Sequence, residues 1–283
     1  MFTESLVPVG DLRLNVATGP RNGPPLWLVH GLIRRWQDFG PILPDLAARW
    51  TVRAPDHRGH GRSDRAASYL VTDYLADIAA LIQDESEPAV IVGHSLGALV
   101  ALGIAAAHPD EVRAVVLLDP PGPTFIAHLD ETPYAAVWAG IRALAGTGLS
   151  VAELARRLGA LRVPDAARPG QTTTYGSTRD AATVRFVAKC VADLDPATLN
   201  PAVEGGWLAG FDLAQQLPRV RCPVLLVVGD PRVGGMLPTT DADPLAAALA
   251  DCTRVELAGV GHLPHTQDPA ATLKLLHAFL DSL

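Results

Sequence analysis

Short apolar runs alternate with helix-like segments along most of the chain. Runs rich in β-branched residues predict strands at 26–29, 51–54, 89–92, 114–118, 224–228 and 254–257. Helices are predicted between and after them, at 38–49, 73–84, 96–107, 245–249 and 270–280. Continuous apolar strands that alternate with helices are typical of a parallel sheet covered on both faces. The pattern therefore predicts an α/β protein.

Two regions depart from this pattern. Residues 6–16 alternate apolar and polar positions, which predicts an antiparallel hairpin at the edge of the sheet. Residues 120–217 contain predicted helices at 135–144, 151–161 and 181–194 and no predicted strand, with proline and glycine clustered at both ends. We therefore expect a core formed by residues 1–119 and 218–283, with residues 120–217 as a helical insertion.

The sequence Gly93-His94-Ser95-Leu96-Gly97 falls where a predicted strand turns into a predicted helix. A serine at such a turn has a strained backbone, and flanking glycines remove the Cβ atoms that would clash with neighbouring elements. The following helix directs its first N–H groups and the positive end of its dipole at a group bonded to the serine. Ser95 is thus the candidate nucleophile, and the alternative is a serine that caps the helix.

An oxyanion formed at Ser95 requires two backbone N–H donors. Leu96 follows the nucleophile and supplies one, and Leu32, in His30-Gly31-Leu32 at the end of the first apolar strand, would supply the other. The serine hydroxyl also requires a base. His262 follows the last predicted strand and is our candidate, while His265, three residues later, competes for the role.

The charge balance excludes several classes of partner. Thirty acidic against 23 basic residues leave a net charge of −7, which argues against nucleic acid and against a polybasic membrane anchor as partners.

The uncharged stretch 88–109 has the length of a membrane span, but the Gly93–Gly97 turn interrupts it. Three scattered cysteines and an N-terminus without an export signal lead us to expect a cytoplasmic protein.

The motifs occur in an order that resembles the α/β-hydrolase superfamily: His30-Gly31, then DHRGHGRS at 56–63, then GHSLG at 93–97, then Gly261-His262. The resemblance implies a mostly parallel sheet of about eight strands with helices on both faces and a helical cap inserted after the sixth strand. It also implies a serine nucleophile and no cofactor. The spacing of His57 and His60 resembles a pair of metal ligands, but two histidines without further ligands make a poor site, so we expect no metal.

The carboxylate that orients the histidine departs from the commonest pattern of the family. The usual position, three residues after Gly229, is Arg232, which cannot accept a hydrogen bond. Asp230 is one candidate. Asp119 is the other and follows the strand beside the nucleophile, where haloalkane dehalogenases and some lactonases place their acid. We favour Asp119 and keep Asp230 as the alternative.

The predicted activity is hydrolysis of a small-molecule carboxylic ester or lactone through an acyl-enzyme. Aromatic residues are concentrated in the insertion, and Trp138 and Tyr134 are candidates to line the substrate pocket. Two alternatives on the same fold stay open: a cofactor-free perhydrolase or haloperoxidase, and a non-catalytic small-molecule receptor. We expect a monomer or a homodimer.

Overall fold

The apolar runs pair into one sheet at the centre of the molecule. The computed structural model describes residues 1–164, 168 and 171–283. The strands among these residues are β1 (Thr3–Val9), β2 (Leu12–Thr18), β3 (Pro25–Val29), β4 (Thr51–Pro55), β5 (Ala89–His94), β6 (Val112–Leu118), β7 (Arg162–Pro164), β8 (Thr172–Thr174), β9 (Val224–Gly229) and β10 (Cys252–Leu257). Eight of them form a sheet in the order β1-β2-β4-β3-β5-β6-β9-β10. The β1–β2 and β2–β4 pairs are antiparallel and the others parallel, so the predicted sheet and its edge hairpin are confirmed.

Parallel pairing brings the chemically important loops to one edge of the sheet. Strands β3, β5, β6 and β9 point the same way, so their carboxyl ends meet at a common edge. His30, Ser95, Asp119 and Asp230 each come directly after one of these strands. In open α/β sheets, ligands bind at this edge.

Helices cover both faces of the sheet. They are α1 (Leu43–Ala47), α2 (Val71–Ile82), α3 (Leu96–Ala107), α4 (Pro123–Ala127), α5 (Pro133–Leu144), α6 (Val151–Ala160), α7 (Ala181–Asp193), α8 (Asn200–Glu204), α9 (Leu213–Gln216), α10 (Thr239–Ala247), α11 (Pro264–Gln267) and α12 (Pro269–Leu280). Successive strand residues face opposite sides, so Ile91 packs in one apolar cluster while Val90 and Val92 pack in the other. Helices α2 and α3 contribute to the first cluster, and α1 and α12 contribute to the second.

The helix predicted at 38–49 is broken. The structure has a 3₁₀ turn at Trp36–Phe39 and the five-residue helix α1 in its place. Pro41 and Pro44 have no backbone N–H to donate to a preceding turn, so a continuous helix through these positions would lose hydrogen bonds.

The insertion between β6 and β9 contains a hairpin that the sequence did not predict. Strands β7 and β8 pair antiparallel within it, so the expectation of no strand in residues 120–217 is wrong. Each strand is three residues long, which is too short for an alternating pattern to be recognised. The remaining elements of the insertion are the helices α4 to α9 and short 3₁₀ turns.

The uncharged stretch 88–109 folds as β5, the turn at Ser95 and α3. No helix among the described residues combines the length and apolar character needed to cross a bilayer. Eleven of the twelve residues of α3 are buried against the rest of the protein. The apolar composition of this helix therefore reflects its burial within the fold.

The sheet core makes a stability prediction. Leu28 in β3 has no exposed surface, and its truncation to alanine leaves a cavity. We expect Leu28→Ala to lower the free energy of unfolding by about 2–5 kcal/mol in urea denaturation. Leu6→Ala, at a position 42% exposed on β1, is the control and should cost less than about 0.5 kcal/mol. Equal losses would mean that the two strands contribute alike to the core.

Candidate active site

Ser95 lies at a sharp corner between β5 and α3. Its backbone has φ 55° and ψ −118°, a conformation that costs a non-glycine residue about 1–3 kcal/mol. The Ser95 N–H donates to the Leu118 carbonyl on β6 at 3.1 Å, which fastens the corner to the neighbouring strand. The corner is closely packed, since a Cβ at Gly93 would overlap the Gly97 carbonyl and a Cβ at Gly97 would overlap the Val29 carbonyl. Glycine is therefore required on both sides of the serine.

His262 and Asp119 form a hydrogen-bonded pair across the edge of the sheet. His262 Nδ1 lies 2.7 Å from Asp119 Oδ2. The Asp119 side chain is fully buried, and its carboxylate also accepts the N–H groups of Gly229 at 2.9 Å and Met236 at 2.8 Å. Buried charges require such partners. The His262 carbonyl accepts from His94 Nε2 at 2.7 Å, so both ends of this residue are held.

The two competing candidates have other partners. The Asp230 carboxylate accepts two hydrogen bonds from the Arg232 guanidinium, at 3.0 and 2.7 Å, and one from the Gly259 N–H at 3.0 Å. The hydrogen bonds from Arg232 hold the pKa of Asp230 below its ordinary value. His265 Nε2 lies 3.0 Å from Asp38 Oδ2, and both side chains are buried. The structure thus pairs His262 with Asp119, and brings neither Asp230 nor His265 into this hydrogen bond.

The amides expected to hold the oxyanion lie at the start of α3 and on the loop after β3. Leu96 is the first residue of α3, where helix geometry leaves the N–H without an intrahelical acceptor. Leu32 lines the same cavity as Ser95 and His262. Within residues 1–164, 168 and 171–283, neither amide donates a hydrogen bond to another protein group. The two N–H groups therefore have no protein acceptor within the described residues, and of the two residues Leu32 lines the cavity.

Buried histidines hold the loop that carries Leu32. Ile33 N–H donates to His60 Nε2 at 3.2 Å, and His60 Nδ1 donates to the Arg58 carbonyl at 2.9 Å. His57 N–H donates to His30 Nε2 at 3.1 Å, and His57 Nε2 donates to the His30 carbonyl at 2.9 Å. The DHRGHGRS segment therefore fixes the position of the 30–33 loop through neutral imidazoles.

Burial maintains the neutral state of these histidines. It lowers the pKa of His57 to about 3 and the pKa of His60 to about 4. Protonation of His60 would turn the acceptor Nε2 into a donor facing the Ile33 N–H, so the loop contact requires the uncharged form.

One group of potential metal ligands includes His94, the residue before Ser95. Among the described residues, Asp38, His94 and His265 offer ligand atoms within 4.8 Å of one another. Asp38 is already 3.5 Å from the Arg34 guanidinium and 3.0 Å from His265 Nε2. A dication here would be repelled by the guanidinium and would have to displace both contacts, so the cluster is a poor metal site.

Ser95 and His262 line a cavity of about 350 Å³. Tyr134 and Trp138, the two pocket candidates, both line it. Tyr134 Oη donates to the Gly234 carbonyl at 2.7 Å, and its ring lies 5.8 Å from the His262 ring. The wall is otherwise largely apolar, with the residues Ile33, Val137, Ile141, Val163, Val187 and Met236.

Three arginines of the lining were not predicted from the sequence. They are Arg34, Arg179 and Arg232. Arg34 lies two residues after Leu32, which is the only sequence signal that could have suggested it. Arg179 carries no comparable signal because it precedes α7 in the insertion.

The fold and this site define the class of the protein. The alpha/beta hydrolase family matches residues 28–275, and the chain belongs to this family. A pimeloyl-acyl-carrier-protein methyl ester esterase of Aromatoleum aromaticum is 31% identical over 258 residues, which are 88% of this chain and 94% of the relative.

A second relative matches more closely over a shorter segment. A 2-(acetamidomethylene)succinate hydrolase of Mesorhizobium japonicum is 40% identical over 120 residues, which are 42% of this chain and 43% of the relative. The match thus spans less than half of that relative. The crystal structure of an E-2-(acetamidomethylene)succinate hydrolase has a TM-score of 0.80 at 26% identity, covering 99% of this chain and all of that chain.

The buried histidines make a prediction about pH and stability. Unfolded histidines take up protons below pH about 6.5, whereas His57 and His60 in the fold do so only near pH 3 and 4. The unfolded state then binds more protons, so the free energy of unfolding should fall as the pH drops from about 6.5 to about 4. We expect His60→Gln to show a smaller loss between pH 7 and pH 5 in urea denaturation.

The matched control is His128→Gln, which changes a histidine side chain that is 59% exposed. This variant should keep the pH dependence of the unsubstituted protein. If His60→Gln also keeps it in full, protonation of His60 does not contribute to the acid sensitivity.

Proposed function

We propose that the protein is a serine hydrolase that cleaves carboxylic esters or lactones through a Ser95-His262-Asp119 triad and an acyl-enzyme. The observation that carries the proposal is the 2.7 Å contact between His262 Nδ1 and Asp119 Oδ2. Ser95 lines the same cavity as His262. A histidine whose Nδ1 is bonded to a carboxylate has Nε2 left as the basic nitrogen, which is the arrangement that activates a serine.

In the proposed first step, His262 Nε2 removes the hydroxyl proton of Ser95 while Oγ attacks the substrate carbonyl. The negative charge on the carbonyl oxygen is stabilised by the N–H groups of Leu32 and Leu96. The buried Asp119 carboxylate stabilises the imidazolium that forms and keeps the ring in the required tautomer. His262 then protonates the leaving alcohol, and an ester bond joins Ser95 to the acyl group.

Water completes the cycle in the second step. His262 takes a proton from water, the hydroxide attacks the acyl-enzyme, and collapse of the tetrahedral intermediate returns the proton to Ser95. In a lactone the leaving alcohol remains part of the acyl group, and the same steps open the ring. Apart from water and substrate, the groups in this scheme are side chains and backbone N–H groups of the protein.

The relatives support the reaction type more than the substrate. One is named as a methyl ester esterase and another as a 2-(acetamidomethylene)succinate hydrolase, so hydrolysis is common to both and the substrate is not. The cavity favours a small acyl group, since 350 Å³ lies near the lower end of ligand-binding cavities.

Labelling and turnover test the proposed nucleophile. A fluorophosphonate should modify Ser95, and 4-nitrophenyl acetate and butyrate should be hydrolysed with a burst of 4-nitrophenol. Ser95→Ala should abolish both signals. Ser86→Ala, at an exposed serine between α2 and β5, is the matched control and should retain both.

Two outcomes would favour the alternatives. Absence of labelling and of turnover across short esters and lactones would favour a receptor. Halide-dependent bromination with peroxide in an organic acid buffer, at rates above ester hydrolysis, would favour a perhydrolase.

Paired aspartate variants test the proposed acid. Asp119→Asn removes the charge that stabilises the imidazolium and should lower kcat by a factor on the order of 10⁴. Asp230→Asn leaves the contact between Asp119 and His262 in place, so kcat should stay within about tenfold of that of the unsubstituted protein. The opposite ranking of the two variants, measured with 4-nitrophenyl butyrate, would contradict the assignment of Asp119.

A further inference from the structure

The arginines that line the cavity differ in how their charges are balanced. Arg232 is bound to both oxygens of Asp230, and its side chain is 83% exposed. Arg179 is exposed, donates to the Thr178 carbonyl at 2.8 Å and lies over the Tyr175 ring at 5.8 Å. These two arginines are therefore solvated, or already paired with other groups of the protein.

Arg34 is different because it is enclosed and has unused donors. Its side chain is only 13% exposed, and its charged contact is Asp38, at 3.5 Å. Asp38 is shared with His265, which lies 3.0 Å from the other carboxylate oxygen. Within the described part of the chain the guanidinium of Arg34 has the 3.5 Å ion pair with Asp38 and donates no hydrogen bond, although this group carries five N–H donors.

The unused donors belong to a residue of the cavity wall. Arg34 lines the cavity together with Ser95. None of its nitrogens is both fully buried and without a hydrogen-bond partner, so the unpaired ones keep some exposure to solvent. The guanidinium is always protonated, so a cation with free donors borders a largely apolar cavity. A planar guanidinium of this kind is matched by a carboxylate, which can accept two of its N–H groups at once.

Two further features make the position of Arg34 significant. It is two residues from Leu32, so a group bound to Arg34 is held by the same loop that carries the proposed oxyanion donor. The whole chain has a net charge of −7, which disfavours anions at long range. An anionic substrate would therefore need a local cation, and Arg34 provides one inside the cavity.

We propose that Arg34 binds a carboxylate of the substrate, so that the compound hydrolysed at Ser95 is an ester or lactone that also carries a free carboxylate. This inference rests on the proposed function and adds the substrate class. The bound carboxylate fixes one end of the substrate, and the ester carbonyl is then oriented towards Ser95 and the amides of Leu32 and Leu96.

A pair of matched substrates tests the proposal. Mono-4-nitrophenyl glutarate carries the free carboxylate, and its methyl ester at the other end is nearly the same size without the charge. The unsubstituted protein should have the higher kcat/KM for the free acid. In Arg34→Met the ratio of the two kcat/KM values should fall by about 10- to 100-fold, mainly through KM for the acid, because a charge-assisted hydrogen bond is lost.

Control variants separate a local contact from a change in net charge or in folding. Arg185→Met removes the same charge from an exposed position on α7 that does not line the cavity, and the ratio should stay unchanged. Arg34→Lys keeps the charge without the planar fork, so its ratio should fall between those of the unsubstituted protein and Arg34→Met. In 0.5 M NaCl the preference for the acid should persist, because an enclosed pair is screened less than a surface one.

The results distinguish this proposal from the proposed function. If Ser95 is labelled and both esters are cleaved, but Arg34→Met and Arg34→Lys leave the ratio unchanged, the role of Arg34 is wrong and the hydrolase stands. If Ser95 is not labelled and neither ester is cleaved, the hydrolase is wrong, and glutarate binding is then measured by calorimetry. Binding that Arg34→Met abolishes supports the carboxylate site, and absence of binding to the unsubstituted protein overturns it.

Discussion

The site depends on the side-by-side pairing of β5, β6 and β9. Ser95 follows β5, Asp119 follows β6, and the carboxylate of Asp119 is held by the N–H of Gly229 at the end of β9. Because the three strands are parallel neighbours, their ends lie close together without any contribution from the insertion. His262 then reaches Asp119 from the loop after β10, the strand that pairs with β9. The apolar core therefore determines where these polar groups meet.

Strain at this edge is balanced by ordinary hydrogen bonds and packing. Ser95, Asp119 and Ile33 have positive φ angles although none is glycine. The N–H of Ser95 is bonded to Leu118, and the N–H of Asp119 is bonded to the Val227 carbonyl at 2.8 Å. Neighbouring elements therefore hold the backbone next to each strained residue in place. Backbone strain of this kind clusters at functional sites.

The parts of the structure that were predictable have a regular signal in the sequence. Buried strands and the Gly93–Gly97 turn are recognisable because each requires a particular composition over several consecutive residues. Asp119 was a candidate because of its position after a strand next to the nucleophile strand, and the structure pairs it with His262. Arg34 was not a candidate, since one arginine in a loop has no periodicity and its enclosure results from the fold. The prediction of a continuous helix at 38–49 was wrong, although Pro41 and Pro44 in the sequence indicate a break.

The insertion leaves and rejoins the sheet at two adjacent strands, β6 and β9. A segment whose two ends are neighbours can change in length and content at little entropic expense, because closing a longer loop between fixed points adds only a few tenths of a kcal/mol for modest extensions. Trp138 and Tyr134 come from this segment, whereas Ser95, Asp119 and His262 come from the sheet. This part of the cavity wall can therefore change through insertions and deletions while Ser95, Asp119 and His262 stay fixed by the sheet.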